Sequence, residues 1–197
     1  MAAVTDSAAR PAVHAKVRIL ATAARLFYSE GIHTVGVDRI ISESRVTKAT
    51  FYKYYRSKDG LIVSYIERCD TQSRQIVREL DQTQDTPELR LHFLARTISA
   101  QLRTDDFQGC PFINAAAQFA DPMHPVRQAV SVHREWYVAS IENLFRGMGH
   151  PRPGDAADEF LLARDGAFSG ANVGDPIAAQ AALMRAVRRV IEESAAA

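Results

Sequence analysis

The sequence predicts an all-α protein of about nine helices, and three observations point to that class. Apolar residues recur at steps of three and four along most of the chain, which is the spacing of an amphipathic helix. No segment alternates with the period of two that a half-buried strand requires. Glycine and proline lie between the periodic segments, where helices end and begin. The chain has 197 residues, 47% of them hydrophobic, which is enough to bury a core.

The first helix is expected over residues 12–30, after a disordered tail at residues 1–11. The tail lacks the basic-then-apolar order of a secretory signal. Gly31 follows the last helical position, where a glycine commonly ends a helix. The stripe expected to face the core is Val13, Val17, Leu20, Ala24 and Phe27.

Two short helices and a tight turn come next and form the most informative part of the sequence. Val37, Ile40 and Ile41 share one face of the earlier helix, and residues 44–47 interrupt the pattern. Thr47 is a good N-cap for a helix over residues 48–54. That helix is rich in Lys, Thr and Tyr, which hold phosphates and touch base edges. The arrangement predicts a helix-turn-helix, whose second helix enters the DNA major groove.

Six more helices follow from the apolar spacing and from the prolines and glycines. Their predicted ranges are residues 57–82, 86–105, 111–120, 125–146, 155–172 and 176–194. Thr86 and Pro87 suit the first turn of the fifth helix. The positions expected to face inward on the fourth and fifth helices are Leu61, Tyr65, Cys69, Ile76, Leu89, Phe93, Leu94, Ile98 and Leu102.

Positive charge is concentrated at the start of the chain. Residues 1–58 hold 10 Lys or Arg and 4 Asp or Glu, a net charge of +6, whereas the remainder carries −5. This asymmetry predicts polyanion binding by the first part alone. No apolar run approaches the length of a membrane span, so no membrane partner is expected. Cys69 and Cys110 form no disulfide framework, so a cytoplasmic setting is the simpler one.

The helix-turn-helix segment resembles the N-terminal domain of the TetR family of bacterial transcriptional regulators. The positions that carry the resemblance are Gly31, residues 37–40, residues 46–52, Tyr55, Ser57 and Lys58. A stretch at residues 109–115 also resembles a motif in the C-terminal domains of some members. The chain departs from the pattern at Arg45, where the family turn usually holds Gly, and at Val35 and Gly36, where Thr or Ser is usual.

The resemblance implies a DNA-binding domain at residues 12–56 and a ligand-binding and dimerisation domain at residues 57–197. Phosphate contacts would come from Thr47, Tyr52, Tyr54 and Lys58, and from Arg45 if its side chain reaches the backbone. Lys48, Thr50 and Lys53 would lie nearest the bases. Phe51 and Tyr55 are expected to pack in the core of the small domain.

The larger domain is expected to provide a dimer surface and a ligand pocket. Small and apolar residues recur on the last two helices beyond a single stripe, which indicates burial on two sides. The dimer candidates are Phe160, Ala163, Ala167, Phe168, Ala171, Met184, Val187 and Ile191. Aromatic residues with a few polar ones are typical of a small-molecule site. The ligand candidates are Tyr65, Phe93, Phe112, Asn114, His133, Trp136 and Tyr137.

The function these features indicate is a homodimeric, ligand-responsive regulator, most simply a repressor of a palindromic operator, with a small apolar or aromatic effector. No cofactor is expected, and Cys110, His124 and His133 fit no compact metal-binding signature. Four alternatives stay open: an activator, a regulator without a small ligand, a small all-α enzyme or ligand-binding protein without DNA function, and a redox regulator based on Cys110.

Overall fold

The computed structural model describes residues 9–193, with side chains from His14 onward. The described residues form nine helices and no strand, which confirms the predicted all-α class. The helices are α1 (Ala9–Glu30), α2 (Val37–Ser44), α3 (Lys48–Tyr55), α4 (Lys58–Thr83), α5 (Pro87–Gln101), α6 (Pro111–Ala117), α7 (Pro125–Gly147), α8 (Pro153–Val173) and α9 (Pro176–Glu192).

Side-chain caps and a glycine set several of these ends as predicted. Thr47 and Thr86 each accept a hydrogen bond at 3.2 Å from the backbone N–H three residues later, at the starts of α3 and α5. Such a bond satisfies one of the free N–H groups of a first turn. Gly31 ends α1 with a φ of +90°, a conformation that glycine adopts without steric cost.

Three predicted bounds are wrong by three or four residues. Helix α1 begins at Ala9, so residues 9–11 of the predicted tail are helical, and residues 1–8 lie outside the described range. Helices α5 and α6 end at Gln101 and Ala117, before the predicted residues 105 and 120. The N–H groups of Arg103 and Thr104 after α5, and of Gln118 and Phe119 after α6, bond to carbonyls three residues back. Such bonds tighten the chain and end the helix. The predicted end of α9 at residue 194 lies outside the described residues.

The chain divides into two compact units. The first comprises the residues up to Cys69 together with Asn114–Ala129, and the second comprises Asp70–Ile113 and the residues from Val130 on. Helix α4 begins in the first unit and ends in the second. The functional division expected at residues 56 and 57 stays a prediction.

The core of the first unit forms where α1 packs against α2 and α3. The largest of its fully buried side chains are Ile19, Leu26, Ile32, Ile40, Phe51, Leu61, Ile62 and Ile66. The stripe expected on α1 is only partly right: Phe27 is buried as predicted, but Val17 is 55% exposed, and Ala15, Ile19, Ala23 and Leu26 face the core. The side chain of Val13 lies outside the described residues. Apolar residues surround more than half of α1, so their spacing alone does not select the buried face.

In the second unit, α9 packs against both α5 and α8. Leu91, Leu94 and Ile98 of α5 are buried, whereas the predicted inward residues Leu89 and Phe93 are 43% and 41% exposed. Ile76 of α4 is likewise exposed. In the first turns of α5, the predicted inward residues Leu89 and Phe93 therefore face solvent. Large apolar residues occur on both faces of this part of the helix, so their spacing does not identify the buried one.

Candidate functional site

The turn between α2 and α3 is held by a residue with a left-handed backbone. Arg45 has φ 53° and ψ 51°, and the N–H of Val46 bonds to the carbonyl of Ile41 at 3.3 Å. A non-glycine residue in this region costs about 1–2 kcal/mol. The Gly-to-Arg departure noted in the sequence is therefore accompanied by backbone strain at Arg45. The side chain of Arg45 is exposed.

Helix α3 has a buried face and an exposed polar face. Phe51 and Tyr55 are 0% and 4% exposed, which confirms their predicted packing in the small core. The Tyr55 hydroxyl donates to the carbonyl of Lys16 at 3.1 Å, and burial raises the pKa of Tyr55 to about 12. These two anchors fix the rotation of α3 about its axis. Lys48, Tyr52 and Lys53 then lie exposed on the opposite side, with Thr50 and Tyr54 half-buried.

Carboxylates neutralise some cations of the first unit and leave others accessible. Arg39 pairs with Glu30 and Glu43, and Arg25 also pairs with Glu43. Hydrogen bonds from Arg39 and then Arg25 lower the pKa of Glu43. Lys48 is different, since its ammonium lies 3.9 Å from Asp38 and both side chains are mostly exposed. Exposed cations without a close carboxylate therefore lie on α3, at Lys48 and Lys53, and also on α1, at Lys16 and Arg18.

Lys58, in the first turn of α4, is half-buried and has a backbone partner. Its ammonium donates to the carbonyl of His33 at 3.4 Å. Burial lowers the pKa of Lys58, and the charge of Asp59 opposes that shift. The first turn of a helix also favours an anion, because its N–H groups have no intrahelical acceptor.

A segment from later in the chain packs against the loop between α1 and α2. The backbone N–H of His33 donates to the Gln118 side-chain oxygen at 3.1 Å, and the His33 Nε2 lies 2.8 Å from the Gln118 carbonyl. Phe119 stacks on His124 at 4.3 Å, and the His124 Nε2 lies 3.5 Å from the Asp59 carboxylate. This segment thus reaches the same loop and helix start that position Lys58.

The second unit holds a buried polar cluster built from α4 and α7. The His133 Nδ1 lies 2.8 Å from one oxygen of Asp70, and the Arg74 Nε donates to the other oxygen at 2.6 Å. Burial opposes the charge of Asp70, but hydrogen bonds from Arg74 and His133 outweigh it and lower the pKa of this carboxyl. For His133, burial disfavours the charged imidazolium and lowers the pKa, and this effect exceeds the opposite effect of Asp70. The imidazole is therefore neutral at pH 7.

Aromatic rings surround this cluster. Phe112 stacks on His133 with ring centroids 3.5 Å apart and an interplanar angle of 3°. Trp136 and Tyr137 both lie 5.8 Å from the His133 ring. The four predicted ligand residues Phe112, His133, Trp136 and Tyr137 thus come together in the second unit.

The other three predicted ligand residues do not join that cluster. Phe93 is largely exposed on α5. Tyr65 belongs to the first unit, where its ring contacts Phe27 edge to face at 5.8 Å, and Asn114 belongs to the same unit. Their part in ligand binding stays a prediction.

Arg164 of α8 is a second cation beside the aromatic rings. Its guanidinium contacts Asp165 at 2.6 Å and the Cys110 sulfur at 3.7 Å. It also lies over the rings of Tyr137 and Phe168, at 5.2 and 4.5 Å from their centroids. Cys110, at 3% exposure, is a buried thiol next to a cation.

Most of the predicted dimer residues are buried within the single chain. Phe160, Ala167, Phe168, Ala171, Val187 and Ile191 are all less than 9% exposed, whereas Ala163 and Met184 are half-buried. The accessible face of α8 and α9 instead forms an open groove of about 500 Å³. Its accessible lining includes Leu162, Ala163, Gly166, Ala178, Ala182 and Ala186. The small residues of α8 and α9 therefore lie on two faces of these helices. One face packs within the chain, and the other is accessible to solvent.

Sequence reasoning missed His33, Gln118, Asp70, Arg74 and Arg164. The Asp70–Arg74 pair had a usable signal, since opposite charges four residues apart face each other on a helix. The contacts of His33 with Gln118, and of Arg164 with Cys110, join residues 85 and 54 positions apart, and no local pattern marks them.

The described residues offer neither a membrane span nor a metal site. None of the described helices combines the length and apolar composition needed to span a bilayer. Within the same residues, no group of three or more His, Cys, Asp or Glu side chains is placed to hold a metal ion.

The fold and the exposed face of α3 define a helix-turn-helix DNA-binding protein. Residues 19–65 match the family model described as bacterial regulatory proteins, tetR family. The chain is also 35% identical to SCO4454, a TetR-family transcriptional regulator from Streptomyces coelicolor, covering 92% of this chain and 96% of that one with a TM-score of 0.88. This protein belongs to the TetR family of transcriptional regulators, and membership sets the enzyme alternative aside.

More distant relatives agree with this assignment. YxaF of Bacillus subtilis, an uncharacterized HTH-type transcriptional regulator, is 26% identical over 122 residues, which span 60% of this chain and 64% of YxaF. The match thus covers just under two thirds of that relative. A regulator from Saccharomonospora viridis, solved in complex with choline, shares the fold with a TM-score of 0.74, at 21% identity over 91% of this chain and 96% of that one.

Proposed function

We propose that this chain is a ligand-responsive repressor that binds a palindromic operator as a homodimer in the cytoplasm. The exposed face of α3 supports the proposal most directly. Lys48, Tyr52 and Lys53 project from a helix whose other side is anchored by Phe51 and Tyr55. A rigid helix with exposed cationic and hydroxyl groups suits insertion into a major groove.

In this proposal the side chains of the helix-turn-helix have two roles. Phosphates are contacted by Arg45, Thr47, Tyr52, Tyr54 and Lys58, which fix the register of the protein on DNA. The base edges are contacted by Lys48, Thr50 and Lys53. Lys58 must first release the carbonyl of His33 or share its ammonium protons between that carbonyl and a phosphate.

Dimerisation would use the exposed face of α8 and α9. The groove lined by Leu162, Gly166 and Ala182 presents small and apolar groups to solvent, and a second copy would cover them. A twofold dimer carries two recognition helices and therefore matches a palindromic operator. The half-buried Ala163 and Met184 are the predicted dimer residues that such an interface reaches.

The effector would bind in the second unit, beside the aromatic cluster of Phe112, His133, Trp136 and Tyr137. The choline complex of a structural relative supports a small-molecule role for this fold. Binding would be transmitted through α4, whose residues belong to both units. Effector binding would relieve repression by moving α4 and so changing the distance between the two recognition helices of the dimer. The liganded and unliganded forms would then differ in their affinity for DNA.

The test begins with selection of bound duplexes from a random pool, followed by anisotropy titrations with the selected site. A palindromic consensus supports the proposal, and no enrichment at low salt contradicts it. Tyr52→Phe should weaken binding without changing the consensus. Lys48→Ala should relax the preference at one or two positions, by about 1–3 kcal/mol each. A reporter gene placed downstream of the selected site distinguishes repression from activation.

A second candidate function is a redox regulator, which the contact between Arg164 and Cys110 favours. A neighbouring cation stabilises a thiolate, the reactive form of cysteine. Treatment with hydrogen peroxide should then release operator DNA from the wild type and not from Cys110→Ser. Equal release from both proteins, or from neither, contradicts this candidate. Cys69→Ser is the matched control, since it removes the other cysteine.

A further inference from the structure

The guanidinium of Arg74 is held in place at one end and open at the other. Its Nε donates to Asp70 at 2.6 Å, and its central carbon lies 4.2 Å from the centroid of the Trp136 ring. Within the described part of the chain, its two terminal amino groups have no hydrogen-bond acceptor. The side chain is 29% exposed, so part of it is accessible to a ligand.

Asp70 does not accept hydrogen bonds from the terminal amino groups of Arg74. One of its carboxylate oxygens accepts the Arg74 Nε bond, and the other lies 2.8 Å from the His133 Nδ1. His133 is 5% exposed and is stacked flat against Phe112, so its imidazole has no freedom to move aside. The pair therefore orients Arg74 without satisfying it.

The surrounding charge is also incompletely balanced. Asp165 is shared by Arg134 and Arg164, and among the described residues Asp70 is the only carboxylate that pairs with Arg74. Within this set, three guanidinium groups thus share two carboxylates, and the neighbouring His133 imidazole is neutral. An excess positive charge next to aromatic rings attracts an anion that also has an apolar, flat body.

We propose that Arg74 and Trp136, oriented by Asp70, form a binding site for a small aromatic carboxylate. The carboxylate would bridge the two terminal amino groups of Arg74, a bidentate geometry that guanidinium favours and a lysine ammonium does not provide. The ring of the ligand would lie against Trp136 and its aromatic neighbours. This inference rests on the proposed function, because it specifies the chemical class of the effector.

The test compares two probes of nearly equal shape, 2-naphthoate and its neutral amide 2-naphthamide, by calorimetry on the full-length protein. The wild type should bind naphthoate roughly 10- to 100-fold more tightly, the range expected for hydrogen bonds to a charged group. Equal affinities, or no heat of binding for either probe at millimolar concentration, overturn the proposal. This comparison requires no variant and is therefore independent of any effect on folding.

Variants assign the preference to particular side chains. Arg74→Met should abolish the preference for naphthoate and leave naphthamide binding intact, whereas Trp136→Leu should weaken both probes by a similar factor. Arg74→Lys keeps the charge and should recover only part of the preference. Arg78→Met, which removes an exposed arginine one turn later on α4, should change neither affinity. A naphthoate preference that persists in Arg74→Met overturns the assignment.

Operator titrations with the same probes separate the two proposals. Binding of naphthoate that depends on Arg74 but leaves operator affinity unchanged supports this site and contradicts its role as the effector site. Release of the operator by compounds other than carboxylates, with equal binding of naphthoate and naphthamide, supports a ligand-responsive regulator and overturns the carboxylate site.

Discussion

The two units use positive charge in opposite ways. In the first unit, the cations of α3 are exposed, and the Lys48 ammonium lies 3.9 Å from the Asp38 carboxylate. In the second unit, Arg74 and Arg164 are half-buried, lie against aromatic rings, and contact carboxylates at 2.6 Å. An exposed cation acts at long range and is screened by salt, whereas a buried one acts on a partner that fits its geometry.

Under the proposed function, this difference corresponds to two kinds of recognition in one chain. A polyanion such as DNA has no single shape to match at its backbone, so accessible charge contributes most of the affinity. A small molecule has little charge to offer, so recognition depends on a pre-oriented group in a site that water reaches poorly. Each of the following experiments would strengthen or remove the contrast, from the largest expected effect to the smallest.

Salt should act almost entirely through the first unit. If a dimer contacts on the order of six to ten phosphates, operator affinity should fall by roughly 10³–10⁵ between about 50 and 200 mM salt. Lys48→Ala and Lys53→Ala should each reduce the slope by about one per subunit. Arg188→Ala, which removes an exposed cation of α9, should leave the slope unchanged. Anisotropy titrations measure these slopes, and a flat response would show that the exposed face of α3 is not the DNA surface.

Charge placed on the exposed face of α8 should separate the subunits without unfolding them. Leu162 is 68% exposed in the single chain, so Leu162→Arg is tolerated by the fold. An arginine buried without a partner in the interface should weaken dimerisation by several kcal/mol, roughly 10²–10³-fold. Light scattering at micromolar concentration should detect folded monomers. Ala167→Arg, at a position 5% exposed, should instead unfold the chain. A Leu162→Arg variant that remains dimeric would place the interface elsewhere.

Acid should destabilise the second unit through His133. Burial lowers the pKa of this imidazole in the folded state, so the unfolded chain binds the proton more readily. Stability is then complete above the unfolded pKa of about 6.5 and falls as the pH decreases, by at most about 1.4 kcal/mol per pH unit for one proton. Asp70, whose pKa is also lowered, adds a loss below about pH 4.

Urea midpoints measured between pH 7 and pH 5 check this prediction. The midpoint of the wild type should fall over that interval, and His133→Gln should reduce the fall. His14→Gln, which replaces an exposed histidine of α1, is the control and should behave as the wild type. Parallel curves for the wild type and His133→Gln would mean that His133 does not contribute to the pH dependence.

The smallest effect is expected where Gln118, in the later segment of the first unit, contacts the loop between α1 and α2. Gln118→Ala removes the acceptor of the His33 N–H, a loss of roughly 0.5–1.5 kcal/mol. Because the His33 carbonyl accepts from Lys58, operator affinity should fall roughly two- to tenfold. Gln128→Ala removes an exposed glutamine of α7, whose amide bonds only within its own segment, and should have no effect. Equal affinities for Gln118→Ala and the wild type would separate His33 from DNA binding.

Local patterns were sufficient for the elements and for the recognition helix. Thr47 and Thr86 cap the helices that the sequence assigned to them, and Phe51 and Tyr55 are buried as expected. These features depend on residues within one or two turns of each other, so the sequence contains the information directly. The helical ends at Gln101 and Ala117 were missed, because tight turns there follow no glycine or proline.

The candidate effector site could be predicted only in part. Aromatic composition located Phe112, His133, Trp136 and Tyr137, which do come together. It did not exclude Phe93, which is exposed, because the same phenylalanine suits either side of an amphipathic stripe. Composition also gave no sign of Arg164, which reaches the cluster from a helix more than fifty residues after Cys110.

The sequence by itself determined the all-α class, the helix-turn-helix and the polar face of α3, because periodicity, capping and charge act between neighbouring residues. Tertiary structure alone decided which side of α1 is buried, which residues of α8 remain accessible, and that Arg74 keeps one end open beside Trp136. Those outcomes depend on contacts between helices far apart in the chain, where burial and pairing are set by the geometry of packing and not by the order of residues.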